Sequence, residues 1–254
     1  MAASLPILTF HAFDDCASVI SFSPRVFQRG IARLHESGYR TVSLLAAVDY
    51  LRQGKPFPDR SLVITFDDGY QSVYSEAFPV LQRYRMSATV FLTVGAERMT
   101  TATGRLPSLS GRSMLSWEEI REMQQAGIVF GAHTLTHPDL TRLPFDRAET
   151  EVYGAKAMLE DTLATPVACF AYPYGRYDQR SRAIAQRHFA CACSDKLGLM
   201  TANSDPYALE RIDMYYLRTD RLFGVLLTRL FPWYVRARSI PRTLRRAIAS
   251  RFGQ

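Results

Sequence analysis

The segment Ser61-Leu62-Val63-Ile64-Thr65-Phe66 is an apolar run rich in β-branched residues, and it stops abruptly at Asp67-Asp68-Gly69-Tyr70. Such a run, closed by a glycine turn, reads as a buried strand that delivers two carboxylates to its C-terminal end. Adjacent like charges in a buried place are costly, because each disfavours ionisation of the other and desolvation adds to the penalty. One acid capping a following helix would account for a single carboxylate and leave the second without a purpose. A bound cation removes the conflict, and the chain offers further ligands for one. His133-Thr134-Leu135-Thr136-His137 carries two of the five histidines, four residues apart. On a helical turn, positions i and i+4 share a face, so both imidazoles can converge on one ion; ordinary surface histidines are the alternative. One carboxylate and two imidazoles form a ligand set that leaves coordination positions open, as catalytic zinc sites do.

The rest of the chain alternates between strand and helix signals. Pro6 to His11 reads as a first strand with His11 at its end. Ser23-Pro24 opens a helix running to Glu36, with Val26, Phe27, Ile31 and Leu34 on one face and Gly38 as its stop. Tyr39 to Val42 is a short strand, Leu44 to Arg52 and Tyr74 to Tyr84 are helices, and Ala88 to Val94 is a second buried strand. Gly95 to Ser113 has no apolar period and is expected as a long loop on the face of the site, a substrate rim. Ser116 and Glu119 match a capping box for a helix reaching Ala126. Ile128 to Ala132 is a strand delivering His133, Asp146 to Leu163 is helical, and Val167 to Ala171 is a strand leading into Pro173-Tyr174-Gly175. Ser181 to Arg187 is helical and Ala190 to Cys193 is a final strand. This alternation predicts an α/β fold, a parallel sheet with helices outside, in one catalytic domain over 1–217. In such sheets chemistry gathers at the C-terminal strand ends, where these segments place it.

The 254 residues suffice for one α/β barrel, and 47% hydrophobic with 22% charged residues are the proportions of an ordinary globular protein. No run of about eighteen apolar residues occurs, so no spanning helix is expected. Met1 to His11 lacks the basic and long apolar regions of a secretion signal, which predicts a cytoplasmic protein unless an upstream segment is missing. Cys16, Cys169, Cys191 and Cys193 have no C-x-x-C or metal-finger spacing and read as free thiols, in agreement with a reducing compartment. The net charge of +7 is concentrated late in the chain: from Arg218 onward nine arginines face one acid, Asp220. Residues 218–254 are expected as a basic, aromatic-rich helical extension, mixing Phe223, Leu226, Leu230, Phe231, Trp233 and Tyr234 with arginines. That mixture suits peripheral contact with the anionic inner face of a membrane; a helix packed on the barrel with a solvated basic end is the alternative. No nucleic-acid-binding module is recognisable, and no nucleic acid is expected as a partner.

Three motifs in order, Thr65-Phe66-Asp67-Asp68-Gly69, His133 to His137 and Phe170-Ala171-Tyr172-Pro173-Tyr174-Gly175, resemble those of the polysaccharide deacetylase family, the NodB-homology carbohydrate esterases. The resemblance covers about Leu5 to Ile212. It implies a distorted (β/α) barrel with about seven repeats. It also implies a divalent metal, expected to be zinc, on Asp68, His133 and His137, with Asp67 left unligated as general base toward the attacking water. The backbone N–H of Tyr174 becomes a donor to the oxyanion, although a simple tight turn is the bland reading of Pro173 to Gly175. Two positions depart from the family pattern. The slot of the arginine that orients the base is Ala171, and Arg211, in Leu209-Glu210-Arg211-Ile212 at a later strand end, is the candidate replacement, with surface charge as the alternative. The late Leu-x-His is missing, and His188, beside Phe189, reads as structural. That leaves His11 as the general acid for the departing amine, against a core histidine. The implied activity is hydrolytic removal of N-acetyl groups from amino sugars of a polysaccharide or its lipid-linked precursor. A hydrolase of O-acetyl sugars or small amides is one alternative. A carbohydrate-binding pseudoenzyme is the other, and the intact Asp67 argues against it.

Overall fold

The computed structural model describes residues 4–95 and 104–239. In chain order its strands are β1 (Ile7–Phe10), β2 (Ala12–Phe13), β3 (Ser21–Phe22), β4 (Arg40–Thr41), β5 (Ser61–Phe66), β6 (Thr89–Leu92), β7 (Val129–Ala132), β8 (Cys169–Ala171), β9 (Cys191–Leu197) and β10 (Leu209–Asp213). The helices are α1 (Pro24–Glu36), α2 (Leu44–Arg52), α3 (Phe78–Tyr84), α4 (Trp117–Gln125), α5 (Phe145–Leu163), α6 (Gln179–His188) and α7 (Asp220–Gly224). Strands β5 to β10 run side by side in parallel, and β1 closes the ring by pairing with both β10 and β5, giving a seven-stranded (β/α) barrel. Closure matters for strands this short, because it leaves no row of backbone donors and acceptors unpaired. The barrel is distorted at β5, whose first residues pair with β4 while Thr65 and Phe66 pair with β6.

The period of two along each strand divides the core in half. Even positions such as Leu8, Phe10, Leu62, Ile64, Phe66, Val90 and Phe170 face the surrounding helices. Odd positions face inward and follow one order from floor to mouth. Ile7, Val63, Cys191 and Leu209 form an apolar floor. Thr9, Thr65, Cys193 and Arg211 come next, with Thr9 and Thr65 joined by a 2.9 Å hydroxyl contact. The following odd positions, His11, Asp67, Asp195 and Asp213, all line the open mouth. Polarity therefore rises along the barrel axis.

Several elements differ from the sequence expectation. Ala190 to Cys193 is not the last strand: β9 continues to Leu197, and β10 follows and seals the barrel. The helix expected from Tyr74 opens with a π-helical turn, Val73–Ala77, in which the Phe78 N–H bonds to the Val73 carbonyl. Pro79 brings no N–H to the next turn, which accounts for the break in the α pattern there. The short β2 and β3 carried no periodic signal. Of the segments discussed above, 96–103 of the expected rim loop and 240–254 of the extension lie outside the described residues.

Residues 218–239 pack on the barrel's outer layer. Phe223, Leu226, Phe231 and Val235 join the same core as α1, and a side chain at Gly30 of α1 would run into the Phe223 ring. Arg29 and Asp220 add a paired hydrogen bond across that contact. Among the described residues no helix is long and apolar enough to cross a membrane.

Candidate active site

Where β5 ends, inward alternation carries Asp67 to the mouth, its N–H bonded to the Phe10 carbonyl at 2.9 Å. Alternation alone would turn Asp68 outward. Instead Asp68 adopts φ 73°, a left-handed conformation that short polar side chains tolerate better than most, and its carboxylate turns back into the mouth. Gly69 follows at φ 87°, and a Cβ there would lie 2.7 Å from Leu92 Cδ2. Two consecutive acids can serve one cavity only through this backbone turn.

His133 leaves β7 buried, and its Nδ1 lies 2.7 Å from the Ala171 carbonyl. Nδ1 therefore donates, and Nε2 is the free nitrogen facing the mouth. The helical turn expected from His133 to His137 does not form. Thr134 and His137 take φ of 69° and 60°, and Pro138 disfavours a helical conformation for His137. The loop is held by the His137 N–H on Thr134 Oγ1 at 3.0 Å and by Glu151 of α5, which accepts from the Thr136 N–H at 2.9 Å and from its hydroxyl at 2.7 Å. The rings still converge, with centroids 4.9 Å apart. Their Nε2 atoms lie 3.4 Å (His133) and 3.3 Å (His137) from the same Asp68 oxygen.

Those separations test whether an ion fits. A tetrahedral site with bonds of about 2.0–2.1 Å has donor-to-donor edges of about 3.3–3.4 Å. The donor atoms of Asp68, His133 and His137 all lie within 4.8 Å of one another, and one oxygen with two imidazole nitrogens is a set that divalent zinc accepts. The residues fit the group. Burial by itself would push the Asp68 carboxyl up, but the close-set His133 and His137 imidazoles outweigh it and hold the group well below the ordinary carboxylate range.

Asp67 is held differently. Arg211, only 4% exposed, meets both of its oxygens at 2.7 Å and anchors its own Nε on the Ser194 carbonyl at 2.9 Å. Burial would raise Asp67, yet the Arg211 charge and its hydrogen bonds bring the carboxyl below its ordinary value. Arg211, the candidate for the arginine absent at Ala171, thus reaches Asp67 from β10. His11 Nε2 stands 3.9 Å from the Asp67 carboxylate, beyond hydrogen-bond range, at the edge of the cavity.

Pro173–Gly175 form a single tight turn in which Tyr174 has φ 57°. Any side chain at Gly175 would run into the Asp195 backbone of β9, so this turn requires glycine. The Tyr174 ring stands 57% exposed at the mouth, its centroid 4.7 Å from that of His137. The whole cavity measures about 1090 Å³, and His11, Asp67, Asp68, His133, His137 and Tyr174 all line it. Leu109 and Ser110 of the expected rim loop line it too. Sequence reasoning missed Glu151 and the Ala171 carbonyl, which orient the histidine loop. It also missed Asp195 and Asp213, although the parity of Arg211 along β10 was a usable signal for Asp213.

Comparison with known proteins agrees with this geometry. Residues 54–189, more than half of the chain, match the family model described as polysaccharide deacetylase. The poly-beta-1,6-N-acetyl-D-glucosamine N-deacetylase of Escherichia coli (strain K12) is 33% identical over 135 residues, which are 50% of this chain but only 20% of that protein. The enzyme of the same name from Staphylococcus aureus (strain MSSA476) is 26% identical over 219 residues, 82% of this chain and 71% of its own length. In three dimensions the chain is similar to the Streptococcus pyogenes deacetylase PplD, solved in complex with acetate, with a TM-score of 0.74, 26% identity, and coverage of 84% of this chain and 92% of that one. With the motif-bearing strand ends inside the matched region and the same barrel around them, the chain belongs to the polysaccharide deacetylase family.

Proposed function

We propose that the protein hydrolyses N-acetyl groups of amino sugars in a polysaccharide or its lipid-linked precursor, using a divalent zinc ion held by Asp68, His133 and His137. The observation that carries this reading is the different surroundings of two adjacent acids: Asp68 faces both imidazoles, while Asp67 faces Arg211 and His11. When bound, such an ion polarises a carbonyl and makes water a nucleophile at neutral pH.

The chain's own residues do the rest. Asp67, kept ionised by Arg211, accepts a proton from the attacking water as its oxygen bonds to the acetamide carbon. Arg211 fixes the orientation of that carboxylate, and each oxygen retains a lone pair for the proton. The Tyr174 N–H donates to the carbonyl oxygen as negative charge gathers there; one such donor is worth about 3 kcal/mol. His11 gives a proton to the amine as the C–N bond breaks, leaving acetate and a free amino sugar. The four cysteines are free, with the Cys191 thiol hydrogen-bonded to the Cys169 sulfur at 3.7 Å, and a cytoplasmic setting is part of this reading. Residues 218–254 are read as an extension of the catalytic barrel.

The test is acetate release from N-acetylated amino-sugar oligosaccharides by the zinc-loaded protein, beside O-acetylated sugars. We expect release from the N-acetyl substrates and a fall in kcat of about 10²–10⁴-fold in Asp67→Asn. Release from O-acetyl sugars alone would replace the substrate, and no release from either would leave a binding protein.

A further inference from the structure

Of the exposed large hydrophobics, Val19, Tyr174 and Tyr177 line the catalytic mouth. Leu230 and Trp233, 68% and 64% exposed, do not. They belong to a segment whose other large side chains are used inside: Phe231 and Val235, four apart on the helical stretch 231–239, are buried in the core. That pair marks the inner face. Trp233, Arg236 and Ala237 consequently look outward, and Arg229 and Leu230 just before them are exposed; Arg238, three residues after Val235, lies on the inner side over the Tyr234 ring. The outward surface combines a tryptophan and a leucine with two arginines, and no acid occurs from 229 to the end of the sequence. Arg242, Arg245, Arg246 and Arg251 continue the trend in sequence.

A solvated basic helix end explains the arginines but not the two large apolar side chains held out among them. A soluble polyanion satisfies the charge and offers nothing to Leu230 and Trp233. A lipid surface with anionic head groups satisfies both, since phosphates lie directly above an apolar layer, and Trp and Leu beside Arg is the composition of interfacial segments. We propose that residues 229–239 dock the protein on an anionic lipid surface, with Leu230 and Trp233 entering the boundary below the head groups and Arg229 and Arg236 on the phosphates. The start of this segment also fixes the orientation. Arg229, Phe231 and Pro232 line a small cleft with Pro6 and Ser61, which lead into β1 and β5 at the barrel end opposite the mouth. Docking there leaves the catalytic cavity open to water.

The chain has two tryptophans, and Trp117 is 5% exposed, so Trp233 is a built-in reporter. The experiment titrates the full chain with vesicles of phosphatidylcholine, with and without phosphatidylglycerol, following fluorescence and co-sedimentation. A blue shift and co-sedimentation are expected with the anionic vesicles only. R229E/R236E, checked for an unchanged melting temperature, should bind at least about tenfold more weakly, and W233A should lose the spectral shift and bind more weakly. Failure of the full chain to sediment with anionic vesicles overturns the proposal, as does binding that neither variant weakens or that is equal on phosphatidylcholine alone. A polyglutamate arm separates simple charge attraction: a blue shift there as large as on vesicles also overturns it. None of these readouts depends on deacetylase activity.

Discussion

At the scale of single residues, the site rests on a buried ion pair and on one histidine outside hydrogen-bond reach of it. Removing one member of a buried pair leaves an uncompensated charge and typically costs about 3–5 kcal/mol. Arg211→Ala should therefore unfold at a clearly lower temperature in a thermal melt. Arg211→Lys keeps the charge but loses the planar fork that meets both Asp67 oxygens. It is expected to fold and to lose kcat more than KM. If Arg211→Lys matched the wild type in kcat, orientation of the base by that fork would be refuted. His11 is proposed as the proton donor to the leaving amine, so His11→Ala is expected to lower kcat on the N-acetyl substrates by about 10²–10⁴-fold; an unchanged kcat would remove His11 from the mechanism.

At the scale of elements, the site is built from strand ends that turn left-handed. Asp68, Thr134, His137 and Tyr174 all have positive φ without being glycine, and all four lie in the three motif turns. Such backbone is held by its surroundings, which Glu151 supplies for the histidine loop. Glu151→Gln turns one acceptor into a donor against the Thr136 N–H or hydroxyl. It should weaken zinc affinity about 10–100-fold in a competitive chelator titration while leaving the fold intact. Gly175→Ala should lower stability by about 1–3 kcal/mol in denaturant unfolding, since its methyl meets Asp195 backbone with no room to move.

These turns also mark the limit of the sequence. Apolar runs and caps were legible: α2 lies on the residues expected, and the Ser116–Glu119 capping box forms as expected. The apolar run placed both acids at the end of β5 but said nothing of how Asp68 reaches the same cavity, because its direction comes from a backbone angle. The spacing of His133 and His137 suggested convergence for the wrong reason, a helical turn, where Pro138 and Glu151 shape a loop instead. Arg211 lies 144 residues from Asp67, and only barrel closure brings them together.

At the scale of the molecule, charge pairing outside the site sets the response to acid. Burial would raise Asp139 and Glu160, but Thr141 and Arg176 on the first, and Lys156 and the Val167 N–H on the second, bring both below their ordinary values. A carboxyl depressed in the folded state binds its proton more readily when unfolded. Its contribution is complete above the unfolded pKa of about 4 and drains away as pH falls through the folded value. The melting temperature should therefore stay nearly level from neutral pH to about 5 and fall below about 4; a fall between pH 7 and 5 would show that other groups dominate. The barrel as a whole exists to hold one acid beside two imidazoles and its neighbour beside an arginine. The most direct measurement of that claim is acetate release by chelator-stripped protein as zinc is returned. The account predicts activity at background without metal and full recovery at one equivalent, with Asp68→Asn not recovering and Asp67→Asn binding one equivalent without turning over. Full activity in the stripped protein, or an active Asp68→Asn, would contradict it.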